Sequence, residues 1–156
     1  MMTNSMPAVA ESEERFRVQT RFGDLEASAA DVVSFPEGLP GFERNHQFVL
    51  VSSEELTPLH CLHAIDGPPA SFLVVDPRLA LPRYRCSLTS KDLTRLGATT
   101  DSSLLWLALV TIDADEQAWV NLRAPVVVNA TRMVGFQVIP SHTLYPLRHP
   151  LSMGDE

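Results

Sequence analysis

Polar and apolar side chains alternate from Arg15 to Gln19, with Phe16 and Val18 between charged or polar neighbours, and this period of two predicts a half-buried strand. Further on, apolar and β-branched runs recur at 32–35, 48–51, 59–65, 72–75, 104–112, 119–122, 126–129 and 136–139. They are too short, and too often interrupted by Pro, Gly and Asp, to be helices, so they predict strands. Gly23-Asp24 predicts a turn, and the acidic stretch around Asp113, Asp115 and Glu116 predicts a hairpin tip between Ile112 and Trp119. One segment has helical spacing: in TSKDLTRLG, Leu93 and Leu96 lie three apart, Ser90 is placed to cap, Asp92 suits the first turn, and Gly97 suits a left-handed stop. The pattern as a whole predicts an all-β fold, a small antiparallel β-barrel or sandwich with one short helix.

Between the strands lie loops that combine stiff and permissive residues. In SFPEGLPGFE, Phe35-Pro36-Glu37-Gly38 fits a type I turn and Leu39-Pro40-Gly41-Phe42 fits type II, with Gly directly after Pro. IDGPPASF and DPRLALPRYR have the same character. Taken singly, Leu39, Phe42, Leu79 and Tyr84 read as side chains that close the core, and Glu37, Glu43, Asp76 and Arg78 as solvated surface. Taken together, rigid loops lose little entropy when a partner orders them, which is what a recognition surface requires. The candidate partner-binding residues are therefore Glu37, Leu39, Phe42, Glu43, Asp76, Arg78 and Tyr84.

Charge changes the picture only at the ends. The net charge is −7, but Glu11, Glu13, Glu14, Asp155 and Glu156 carry much of it, which leaves 14 acids against 12 bases in residues 15–150. With Lys91 the single lysine and the eleven arginines scattered, direct nucleic-acid binding is not expected. Residues 1–14 read as a disordered acidic extension and 152–156 as a flexible end, flanking one domain over 15–151. A start without basic and apolar segments, no run of about 20 apolar residues, and only two cysteines lead to the expectation of a cytoplasmic protein without membrane contact.

Candidate chemistry is sparse. HCLH, residues 60–63, offers two imidazoles and a thiol, yet strand geometry sends His60 and His63 to opposite faces and no second ligand cluster accompanies them. His46, His142 and His149 are isolated. No nucleophile elbow and no phosphate-cradling glycine loop is present. Neither catalytic nor metal residues nor a cofactor are expected, and a small-molecule or metal-binding barrel enzyme using His60, His63 or His142 is the alternative.

TRFGDLEASAADVVSFPEGLPGFERNHQFVLV, FLVVDPRLALPRY, WVNLRAPVVVNATRMVGFQVI and YPLRHPL occur in that order, and together they resemble the FliW family of bacterial flagellar assembly factors over about residues 15–151. The resemblance implies a β-barrel-like domain and a non-enzymatic regulator, monomeric when unbound, with two mutually exclusive protein partners. One is flagellin, held before export. The other is CsrA, the carbon-storage regulator that represses flagellin translation, whose antagonism would run through a contact away from its RNA-binding face.

Overall fold

A computed structural model describes residues 14–99, 103–140 and 143–152. Most of both expected flexible ends, and His142, lie outside the described residues. Eleven strands form: β1 Arg15–Thr20, β2 Gly23–Ser28, β3 Val32–Ser34, β4 Gln47–Val51, β5 His60–Ala64, β6 Ser71–Val75, β7 Leu104–Ile112, β8 Ala118–Val120, β9 Val126–Asn129, β10 Val134–Gln137 and β11 His149–Leu151. Among the described residues two α-helices accompany them, α1 Pro77–Ala80 and α2 Ser90–Leu96, with a single 3-10 turn at Ala29–Asp31.

Strands β9, β10, β3, β4, β5, β6 and β7 hydrogen-bond in that spatial order, and β7 pairs back onto β9 to close a seven-stranded barrel. Among the described residues every strand pairing is antiparallel but one. Closure on one side runs through a parallel bridge, Val134 to Ser34, secured by the Ser34 amide donating to the Met133 carbonyl at 2.9 Å. Strand β7 is long because it serves two neighbours along one edge, β8 near its end and β9 near its start. Between the Val110–Val120 and Leu107–Val126 pairs, β7 advances three residues while the other chain advances six. The surplus forms a bulge holding Pro125, where the missing amide removes no ladder bond. Asn121 organises it by accepting from the amides of Arg123 and Ala124.

The strand runs look unbroken rather than alternating because the barrel wall is covered on both faces. Inward, Val33, Phe48, Leu62, Val74, Leu107, Val126 and Val128 fill the lumen with Phe35 and Leu39. Outward, three layers cover three sectors. The β1–β2 hairpin places Val18, Leu25 and Ala27 on Val49, Val51 and Cys61. Tyr84, Leu122 and Leu151 lie with Leu73, Val75, Ala108 and Val110. Leu96 of α2 packs on Val127, Phe136 and Val138.

Four local expectations shift. The first hairpin turns at Arg21-Phe22 rather than Gly23-Asp24, because Thr20 pairs with Gly23 and β2 begins there. Helix α2 is capped by Thr89, not Ser90: the Thr89 hydroxyl accepts from the Asp92 amide and the Asp92 carboxylate accepts from the Thr89 amide, a reciprocal box that fixes the boundary. Gly97 does close the helix, at φ 65°. Besides the predicted helix, Asp76 caps the one-turn α1, whose Pro77 sits where no amide donor is needed. At the acidic hairpin, Asp115 and Glu116 are exposed, but Asp113 holds the turn. Its carboxylate accepts from the amides of Asp115 and Gln117 and from the Trp119 indole at 2.9 Å, which also keeps its pKa below the usual range.

Candidate functional site

The loop leaving β3 takes the two turns its sequence predicts. The Gly38 amide donates to the Phe35 carbonyl at 2.8 Å, and the Phe42 amide to the Leu39 carbonyl at 2.6 Å, with Gly41 at φ 85°. A third bond, Asn45 amide to Phe42 carbonyl at 3.1 Å, continues the path. Gly38 is irreplaceable for a second reason: a Cβ there would lie 2.5 Å from the Phe42 carbonyl oxygen, and its φ is 65°.

What stiffens this loop further comes from a distant one. Asn45, 1% exposed, donates from its amide nitrogen to the carbonyls of Asp66 and Pro68 at 2.7 and 2.6 Å. In return the Asp66 carboxylate accepts from the amides of His46 and Gln47 at 2.9 and 3.0 Å. Gly67, at φ 67°, allows the approach, since a Cβ would meet the Arg44 carbonyl oxygen at 2.5 Å. The two proline-framed loops are thereby one rigid body. Replacing Asn45 with alanine leaves two carbonyls without their donor, and a loss of about 1–3 kcal/mol is expected, measured as a lowered urea midpoint at unchanged slope.

The predicted residues divide between presentation and support. Leu39 is 2% exposed and plugs the lumen, whereas Phe42 is 38% exposed and rests edge-on against Phe72 at 4.9 Å. Glu37 and Glu43 are exposed, and Glu43 folds back to accept from the Gly41 amide, which lowers its pKa. Asp76, Arg78 and Tyr84 do not join this group. Arg78 and Tyr84 line a separate cleft, with Arg78 held by Asp76 at 3.3 Å and Tyr84 stacked on Tyr145 with ring centroids 4.6 Å apart. Tyr84 is 7% exposed, and burial pushes its phenol pKa up.

Beside Glu37 and Glu43 lies a groove walled by Pro40, Arg95, Phe136 and Ile139. Arg95 of α2 ties the parts together: its guanidinium reaches Glu37 at 3.1 Å and Asp92 at 3.5 Å, and stacks over the Phe136 ring at 4.5 Å. Ile139 is 68% exposed at the rim. Neither Arg95 nor Ile139 stood out in the sequence, where one reads as a helix-surface charge and the other as the end of a strand. Asn45 was equally silent, since a loop asparagine ordinarily signals only a turn.

The HCLH residues are occupied with local work. His60 and His63 each share a 2.7 Å hydrogen bond with a serine hydroxyl, of Ser52 and Ser71 respectively. Cys61 is buried beneath the first hairpin, and desolvation raises its thiol pKa to about 11. Among the described residues no three His, Cys, Asp or Glu side chains group around a metal-sized position. Desolvation also lowers the His63 pKa below its usual 6.5. The unfolded chain then takes up the proton first, so the stability His63 contributes is present above pH 6.5 and declines as pH falls through its folded value. Urea titrations from pH 7.5 downward should show that decline in the wild type and a flatter profile in His63→Asn.

The chain is a closed seven-stranded β-barrel that carries a braced, partly apolar turn face. Comparison with known proteins supplies the family. The family model described as FliW protein matches residues 17–151. Flagellar assembly factor FliW of Thermotoga neapolitana is 36% identical over 135 residues, 85% of this chain and 91% of that protein. The Geobacillus kaustophilus protein of the same name is 34% identical over 137 residues, 86% and 94% of the two chains. A crystal structure of the flagellar assembly factor FliW superposes with a TM-score of 0.77 at 32% identity, covering 88% of this chain and 98% of that one. The chain belongs to the FliW family.

Proposed function

We propose that this protein is a flagellar assembly factor that works in the cytoplasm as a binding protein for flagellin and for CsrA, taken one at a time. Membership of a family whose named relatives are flagellar assembly factors supports the first part. The observation that carries the binding role is the braced double turn, which holds Phe42 at the surface while its neighbour Leu39 is locked in the lumen. A surface fixed before contact forfeits little entropy on association. Glu37, Phe42 and Glu43 make the contact in this reading, with Leu39 and Arg95 holding them in place. Asp76, Arg78 and Tyr84 belong to a second face.

The regulatory arm follows as linkage. Flagellin occupying the protein leaves CsrA free to repress, and flagellin export frees the protein to sequester CsrA. If CsrA is antagonised away from its RNA-binding face, RNA must weaken this protein's hold on CsrA by the same factor by which this protein weakens RNA. The free protein is a monomer in this scheme. Size-exclusion chromatography of the purified protein with CsrA, with flagellin, and with both tests it. Two binary complexes and no ternary one are expected. A stable ternary complex, or no complex at micromolar concentrations, overturns the reading.

A further inference from the structure

Between α1 and α2 the chain runs from Tyr84 to Thr89 without entering any sheet. It forms the shared wall of two open clefts, of about 370 and 430 Å³. Among the described residues, the amides of Cys86, Ser87 and Leu88 donate to no backbone carbonyl. Every charged side chain lining either cleft is an arginine: Arg78 and Arg85 on one side, Arg85 and Arg123 on the other. Arg78 is neutralised by Asp76, but Arg85 and Arg123 are exposed and no carboxylate among the described residues pairs with them. Apolar footing lies alongside, in half-buried Trp106 and in Leu144, which is fully exposed. A concentrated positive edge on a chain of net charge −7 is a local feature, not a consequence of composition.

We propose that this segment is a docking edge for an extended acidic peptide of a partner protein. The peptide's backbone would pair with those amides of residues 86–88 that face it, alternate ones along an extended edge, its carboxylates would meet Arg85 and Arg123, and an apolar side chain would rest on Trp106 or Leu144. Main-chain pairing to an unpaired edge supplies affinity, and the flanking clefts select side chains. Arginine suits the role because its planar fork matches a carboxylate with two parallel hydrogen bonds. A peptide is favoured over RNA because two arginines without a carboxylate partner among the described residues, Arg123 also donating from Nε to the Tyr145 carbonyl at 3.0 Å, cannot track a phosphate backbone, whose binding requires several cations along one face. This edge is separate from the Phe42 face, and its test uses neither flagellin nor CsrA.

The probe is a short fluorescent peptide of alternating glutamate and leucine, titrated against the full chain by anisotropy. Saturable binding that weakens with added salt is expected. In the Arg85→Gln, Arg123→Gln double variant affinity should fall about tenfold, while Glu26→Gln, at an exposed position of the first hairpin, leaves it unchanged. Amide hydrogen exchange provides the second readout: the peptide should slow exchange at one or more amides within residues 86–88 in the wild type. Equal binding of a glutamine-for-glutamate peptide, no protection at those amides, undiminished binding by the folded double variant, or tighter binding of oligouridylate would each overturn the proposal.

Discussion

Truncation of Phe35 to alanine should cost about 3–5 kcal/mol, the range for emptying a buried aromatic position. Phe35 is fully buried, its ring edge-on to Phe48 with centroids 5.2 Å apart. It also lies where a Cβ on Gly135 would come within 2.8 Å of its ring, so the strand opposite has surrendered a side chain to make room. Relaxation cannot easily refill that space, because Gly135 has nothing to extend and Val128 and Phe48 are fixed by their own ladders. Since small domains are stable by only about 5–15 kcal/mol, a large part of the margin would go. A urea unfolding curve measures the loss. The loop should loosen too, because the Phe35 amide donates to the His46 carbonyl at 2.8 Å, joining the start and end of the double turn.

The second large effect should fall on binding instead of folding. Phe42 keeps more than a third of its surface in solvent, and its ring meets Phe72 edge-on. Phe42→Ser should therefore shift the melting temperature by only a few degrees, on the order of the ~1 kcal/mol an aromatic pair contributes. If Phe42 is the apolar anchor of the partner contact, affinity should drop by ~2 kcal/mol, about thirtyfold. Leu39→Ser should do the reverse, putting a hydroxyl without a partner into the lumen and unfolding the domain before any effect on recognition can be read. Two residues of one type II turn thus have opposite roles, decided by which side of the backbone each occupies.

That division was only partly legible beforehand. The turns themselves were, because Pro and Gly at fixed offsets leave the backbone few alternatives and their hydrogen bonds close within four residues. The helix was legible to within one residue, since Thr89 and Ser90 offer the same hydroxyl and only the reach of Asp92 separates them. Strand β2 was not, because alanine-rich LEASAA has little strand preference of its own and takes its form from pairing with β1. Least legible were the long-range devices. Asn45 bonds loop residues more than twenty positions away, Asn129 closes α2 by donating to the Leu96 carbonyl at 2.9 Å, and the parallel Val134–Ser34 bridge joins strands a hundred residues apart. No local pattern encodes such partners.

The gathering of the candidate residues followed the same rule. Glu37, Leu39, Phe42 and Glu43 are neighbours in sequence and remained neighbours in space. Arg78 and Tyr84 share the loop chemistry but line a different cleft, with Asp76 paired to Arg78. Arg95, brought to Glu37 across 58 residues, contributes to the site through tertiary packing alone.

The most direct test of the account is calorimetric titration of wild type and Phe42→Ser with purified flagellin and with CsrA, each protein's melting curve recorded alongside. A variant that melts almost as the wild type does, yet binds at least one partner about thirtyfold more weakly, is the predicted result. Affinity for both partners that survives the loss of this ring would contradict it.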